Sequence, residues 1–187
     1  SSAASDVYKR QALLVEVLSL NLWKEKSYHH CQPWALNFKM EKIMSLNTLE
    51  EIAQYIVSDG KGILAADESN PTCGKRFDSI GVESSEINRR DYREMLFRSS
   101  GMQDNIGGVI LFDETIRQSA ADGTLLVDLI KNKGALPGIK VDKGLAPMDS
   151  SPEETVTQGL DGLDERCKEY FSLGAKFTKW RAVIKIS

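Results

Sequence analysis

The feature that most restricts this chain is a regular alternation of strand and helix that begins near residue 47. Asn47 followed by Glu50 is a capping pattern, and Leu49, Ile52, Ala53 and Ile56 then recur at helical spacing. Asp59-Gly60 closes that helix, because glycine takes a left-handed cap cheaply. The run GILAADE (62–68) reads as a strand. A helix follows over 84–100, capped by Ser84 or Ser85, with Tyr92, Met95 and Leu96 on one face. GGVILFDE (107–114) is a second strand, and 125–134 a short helix stopped by Gly134. GIKVDKG (138–144) is a third strand, and SSPEE (150–154) a loop leading to a helix over 159–174. That helix aligns Leu160, Leu163, Cys167 and Tyr170 and ends at Gly174. A fourth strand runs over 175–186. This order predicts an α/β fold: a parallel sheet with helices outside it.

The strand faces narrow the choice further. In the fourth strand Thr178, Trp180, Ala182, Ile184 and Ile186 share one face, apolar enough to lie under helices. Phe177, Lys179, Arg181, Val183 and Lys185 share the other. In the third strand Ile139 and Val141 face one way, Lys140 and Asp142 the other. In the first, Ile63, Ala65 and Asp67 alternate with Leu64, Ala66 and Glu68. An open two-sided sheet needs apolar residues on both faces, and buried charges are costly unless paired or used. A solvated edge or a structural ion pair would account for any one of these charges alone. Three strands with the same parity favour a closed barrel whose inner face opens at the C-terminal strand ends. Asp67, Lys140, Asp142, Lys179 and Arg181 all sit near such ends.

Crowded cations disfavour one another's charged forms, which frees a lysine to attack a carbonyl and form a Schiff base. The protonated imine is an electron sink, so a neighbouring carbon–carbon bond can break. Asp67 would accept a proton from a sugar hydroxyl, and the surplus positive charge suits a phosphorylated substrate. No histidine lies beyond residue 39, which removes Ser-His-Asp and Cys-His chemistry there and disfavours a metal. Cys73 and Cys167 lack metal spacing and read as reduced, partly buried thiols. SNPTCGKR (69–76) has the Gly-Lys of a phosphate loop but lacks its first glycine, and Arg76 replaces the Ser/Thr. The net charge of −3 and the absence of a long basic run argue against nucleic acid.

Residues 1–11 show no apolar period and no cap signal, and residues 12–39 fall on no element. ALLVEVLSLNLW (12–23) is interrupted by Glu16 and has no small-residue cleavage site, so it does not read as a signal peptide. DVYKRQ (6–11) resembles a sequencing-library adapter translated in one frame. The leader is therefore expected to be disordered or artefactual, with the natural start at Met40 or Met44. Low cysteine usage suits a cytoplasmic protein, and no run is long enough to cross a membrane.

GKGILAADES (60–69), GGVILFDET (107–115), GIKVDKG (138–144), TQGLDGLDERC (157–167) and KWRAVIKI (179–186) together resemble the class I, Schiff-base fructose-1,6-bisphosphate aldolases. The resemblance runs from about Leu46 to the end of the sequence. It implies a (β/α)8 TIM barrel, here its first four β/α units, and no cofactor. It implies reversible cleavage of fructose 1,6-bisphosphate into dihydroxyacetone phosphate and glyceraldehyde 3-phosphate, in a homo-oligomer that is often a tetramer in the family. Asp67 matches the first-strand aspartate that moves protons at the sugar C4 hydroxyl. Lys140 matches the third-strand lysine bordering the site, and Lys179 the fourth-strand lysine that tunes the nucleophile. Arg181 matches its companion arginine. Ser69, Thr72, Lys75 and Arg76 fall in the loop that contacts phosphate, although 70–74 depart from the commoner animal forms. The family's strand-five glutamate and strand-six Schiff-base lysine have no counterpart here, so the chain alone is expected to be inactive. Another Schiff-base sugar-phosphate aldolase and a non-catalytic, anion-binding half-barrel are the alternatives.

Overall fold

The computed structural model describes residues 46, 48–149 and 151–184. The expectations for residues 1–39, for the two candidate start sites and for Lys185 and Ile186 lie outside these. The described elements are α1 (Leu49–Ile56), β1 (Gly62–Ala66), α2 (Asn70–Asp78), α3 (Glu86–Arg98), α4 (Met102–Asn105), β2 (Ile106–Leu111), α5 (Asp113–Ile116), α6 (Leu126–Asn132), β3 (Leu136–Lys140), β4 (Leu145–Met148), β5 (Ser151–Thr157), α7 (Leu163–Ser172) and β6 (Phe177–Lys179).

Four strands form one parallel sheet of order β1-β2-β3-β6. Each neighbour follows the last in sequence apart from the β4–β5 hairpin, and helices fill the connections, as in consecutive β/α units of a barrel wall. The expected α/β architecture is therefore present. The register sorts the side chains into two faces. Ala66, Val109, Leu111, Ile139 and Val141 turn outward and are buried with Phe97, Leu126, Ile130 and Tyr170 of the covering helices. Truncating a side chain such as Phe97, which has no exposed surface, removes contacts worth roughly 3–5 kcal/mol.

The inner face is layered. Ile63, Gly108 and Leu136 lie in register; above them come Ala65, Ile110, Gly138 and Phe177, and then Lys140 beside Lys179. Phe177 fills the space its glycine neighbours leave. A Cβ on Gly138 would lie 2.4 Å from the Phe177 ring, and one on Gly108 3.1 Å from it. Gly138→Ala should therefore destabilise the fold by about 1–3 kcal/mol, because the ring must leave its place. Phe177→Leu in the same chain should restore part of that loss, read as a recovered urea midpoint. A double variant no more stable than Gly138→Ala alone would show that the ring is not the obstacle.

Helix ends follow local chemistry. Thr48 caps α1: its side chain accepts from Glu51 N at 3.2 Å and Glu51 accepts from Thr48 N at 3.0 Å. The expected box sits one residue earlier, at Asn47 and Glu50, because both pairs have the same spacing. Asn47 lies outside the described residues. Ser85 caps α3 through Asn88 N at 3.2 Å. Gly134 and Gly174, both at positive φ, turn the chain after α6 and α7 as expected.

Five expectations are corrected. Of the loop expected over 150–154, residues 151–154 belong to β5, which pairs antiparallel with β4 in an excursion from the end of β3. The strand read over 107–114 stops at Leu111, and Asp113 opens α5. The buried face of α3 is Arg93 and Phe97, while Met95 is exposed. The strand read over 175–186 is three residues long. Trp180 and Ile184, expected under helices, are exposed. Alternation assigns side chains to faces, but a strand lasts only while a neighbour pairs with it; past Lys179 the chain leaves β3.

Candidate active site

Asp67 follows the last residue of β1, and Lys179 is the last of β6. These are the two outer strands of the sheet, yet Lys179 Nζ donates to Asp67 Oδ2 at 2.9 Å. In a flat sheet three strand spacings separate such edges by ~14 Å. Side chains standing roughly perpendicular to the strands do not close that gap unless the sheet curls toward them. The contact records a concave inner wall.

Lys140 and Lys179 are register partners, so two ammonium groups leave neighbouring strands side by side. Each has its own counter-charge. Lys140 Nζ lies 3.0 Å from Asp142 Oδ1 and donates to the Asp142 carbonyl at 3.1 Å. The crowding inferred from strand parity is thus divided into two pairs, one across the concavity and one along β3. Asp142 is almost wholly buried, and its second carboxylate oxygen has no hydrogen-bond partner in the described structure.

The loop expected to hold Ser69, Thr72, Lys75 and Arg76 is instead helix α2 from Asn70 onward, with Ser69 at its N-cap position and no side-chain capping bond. Ser69 Oγ and Thr72 Oγ1 lie 3.1 Å apart, and the Ser69 carbonyl accepts from Thr72 N and Cys73 N. Lys75 is exposed on α2. Arg76 is half-buried and paired with Glu68. Arg181 lies elsewhere: its carbonyl accepts from Thr157 Oγ1 of β5 at 2.7 Å, and its side chain lines a cleft with Leu145, Met148, Glu153 and Thr155. The structure therefore brings Asp67 and Lys179 into contact, sets Lys140 beside them, and ties Arg181 to the hairpin.

Residues that sequence reading missed support these positions. Arg93, from the middle of α3, reaches the end of β1. Arg89 Nε and Nη2 each donate to Glu114 at 2.7 Å, and Asn70 Nδ2 donates to it at 3.1 Å, joining α2, α3 and α5. Each arginine recurs at helical spacing with the apolar face, the one sequence signal that would have placed it inward. The Arg89 hydrogen bonds hold the Glu114 carboxyl below its ordinary value of 4.5, against the opposing effect of burial. A depressed folded value adds stability that is complete above about pH 4.5 and is lost as pH falls. Melting temperature should therefore fall on acidification below pH 4.5, and Glu114→Gln should fall less steeply there. Parallel curves for the two proteins would contradict this coupling.

Among the described residues no cluster of His, Cys, Asp and Glu is placed to hold a metal ion. Nor is any helix among them long and apolar enough to cross a membrane. Cys73 is buried, and neither it nor Cys167 is in a disulfide.

Residues 48–187 match the family model described as fructose-bisphosphate aldolase class-I. The chain is 54% identical over 138 residues to fructose-bisphosphate aldolase 1, chloroplastic, of Chlamydomonas reinhardtii, covering 74% of this chain and 37% of that protein. It is 58% identical over 134 residues to the cytosolic aldolase 6 of Arabidopsis thaliana, covering 72% and 37% respectively. A solved structure of Plasmodium falciparum fructose-bisphosphate aldolase, in complex with TRAP and a small-molecule inhibitor, superposes with a TM-score of 0.69 at 45% identity. That match covers 83% of this chain and 43% of the other. The chain spans about two fifths of the length of the relatives it matches.

Proposed function

The chain belongs to the class-I fructose-bisphosphate aldolase family, and from that premise we propose that the protein it forms part of cleaves fructose 1,6-bisphosphate reversibly. The products are dihydroxyacetone phosphate and glyceraldehyde 3-phosphate, and the route is a lysine Schiff base, as in glycolysis. The observation that carries the reading is the Lys179–Asp67 pair across a concave wall, with Lys140 in register beside it. Asp67 takes the proton of the C4 hydroxyl as the C3–C4 bond breaks. Lys179 holds the Asp67 carboxylate in place through their hydrogen bond, and adds positive charge where the imine forms. Lys140, tethered by Asp142, borders the same cavity. The hydroxyls of Ser69 and Thr72, at the N-terminus of α2, with Lys75 and Arg76 further along it, form the phosphate end. Arg181 would reach the site if the hairpin it touches moves with bound substrate. The electron sink is the imine itself, so the reaction needs no cofactor.

The imine-forming lysine and the strand-five glutamate belong to the rest of the barrel in this reading, and residues 1–39 take no part in it. The enzyme is cytoplasmic and a homo-oligomer, a tetramer by analogy with the family.

Borohydride trapping tests the proposal. Full-length protein incubated with dihydroxyacetone phosphate and borohydride should gain one covalent adduct per subunit, on a lysine outside this chain. Residues 40–187 alone should gain none. A full-length protein that neither cleaves the ketose nor forms the adduct would refute the reading. Phosphate-dependent stabilisation without turnover would then favour an anion-binding half-barrel. Turnover of a different ketose phosphate would redirect the substrate alone.

A further inference from the structure

Arg93 is a deeply buried charged residue, at 2% exposure. Such burial is costly unless every donor is used. Its guanidinium spreads over the end of β1. Nε donates to the Ala66 carbonyl at 2.8 Å, and Nη2 donates to the Glu68 carbonyl at 3.0 Å. Nη2 also lies 2.8 Å from Glu68 Oε2, and Nη1 lies 3.4 Å from Cys73 Sγ. The two carbonyls it holds belong to the residues on either side of Asp67.

We infer that Arg93 is a positioning residue: it locks the peptides flanking Asp67, so that the carboxylate is held toward the inner wall and Lys179. This rests on the function proposed above. Glu68 extends the device, since its carboxylate also pairs with Arg76 and so links the clamp to the proposed phosphate end. The same solution recurs on the neighbouring wall. Arg166 of α7 donates to the carbonyls of Val141, the residue before Asp142, and of Gly159. Helices outside the sheet thus send arginines to the strand ends that carry the inward acids. A planar fork can bind both carbonyls around Asp67 at once; an ammonium group cannot hold that geometry.

The experiment compares full-length wild-type enzyme with Arg93→Lys. The adduct trapped from dihydroxyacetone phosphate requires no proton transfer at C4, so it reports folded, lysine-competent protein. Arg93→Lys should form it at a rate within about twofold of wild type, while kcat for ketose cleavage falls about 10- to 100-fold and KM moves less than threefold. Undiminished cleavage would overturn the inference. So would adduct formation that falls in proportion to cleavage, since that marks a fold-stabilising role only. If wild-type protein gives neither adduct nor cleavage, it is the proposed function that fails, and the two failures remain distinguishable.

Discussion

Exchanging Asp67 for asparagine in the full-length enzyme should lower kcat by about two to four orders of magnitude, the range that a positioned acid–base group supplies. The substitution keeps the size of the side chain and an oxygen for Lys179 Nζ, which donates to Asp67 at 2.9 Å. It keeps the carbonyls that Arg93 holds on both sides. What it removes is the carboxylate proposed above as the proton acceptor at the reacting hydroxyl. The loss should therefore fall on kcat, with KM nearly unchanged, because the interaction is made only as the bond breaks. The trapped adduct with dihydroxyacetone phosphate should form as in wild type. Steady-state kinetics decides the matter: a kcat within a factor of about three of wild type takes Asp67 out of the proton transfer.

Lys179→Met should have two separable effects. It removes the ammonium from the inner wall, and kcat/KM should fall by about 10²–10³, comparable to deleting one preorganised electrostatic donor. It also leaves the mostly buried Asp67 carboxylate facing no cation, which should destabilise the fold by roughly 1–3 kcal/mol. Adding Asp67→Asn to Lys179→Met separates the two. A neutral amide needs no counter-charge, so the double variant should regain stability over Lys179→Met while remaining catalytically poor. Denaturant unfolding reads the first and ketose cleavage the second. A double variant less stable than either single one would mean that the two side chains do not act as a pair.

The sequence carried the α/β class plainly, since apolar runs alternate along the chain with segments of helical spacing. It also carried the inward parity of Lys140, Asp142 and Lys179, because a period of two needs only one correct register. Which acid meets which base was not legible. Asp67 lies 112 residues from Lys179, and their contact depends on sheet curvature, a property of all four strands together. Arg93 escaped because arginine reads as surface. Its place on the buried face of α3 pairs it with Phe97 four residues on, and Met95, the more apolar residue, turns outward. The hairpin of β4 and β5 escaped because the Ser-Pro within SSPEE (150–154) read as a loop, although prolines are tolerated on strands with a free edge. The fourth strand was read too long because alternation persists in the sequence past Lys179, where pairing with β3 ends.

The account depends on acidic and basic side chains of separate strands facing one cavity that receives the sugar phosphate. A crystal structure of the full-length protein with fructose 1,6-bisphosphate bound tests this most directly. It should show Asp67 and Lys179 within hydrogen-bond distance of the ketose carbon skeleton, with Lys140 beside it and a phosphate at the start of α2. A ketose bound away from this wall, with the Lys140 and Lys179 ammonium groups turned out into bulk water, would contradict it.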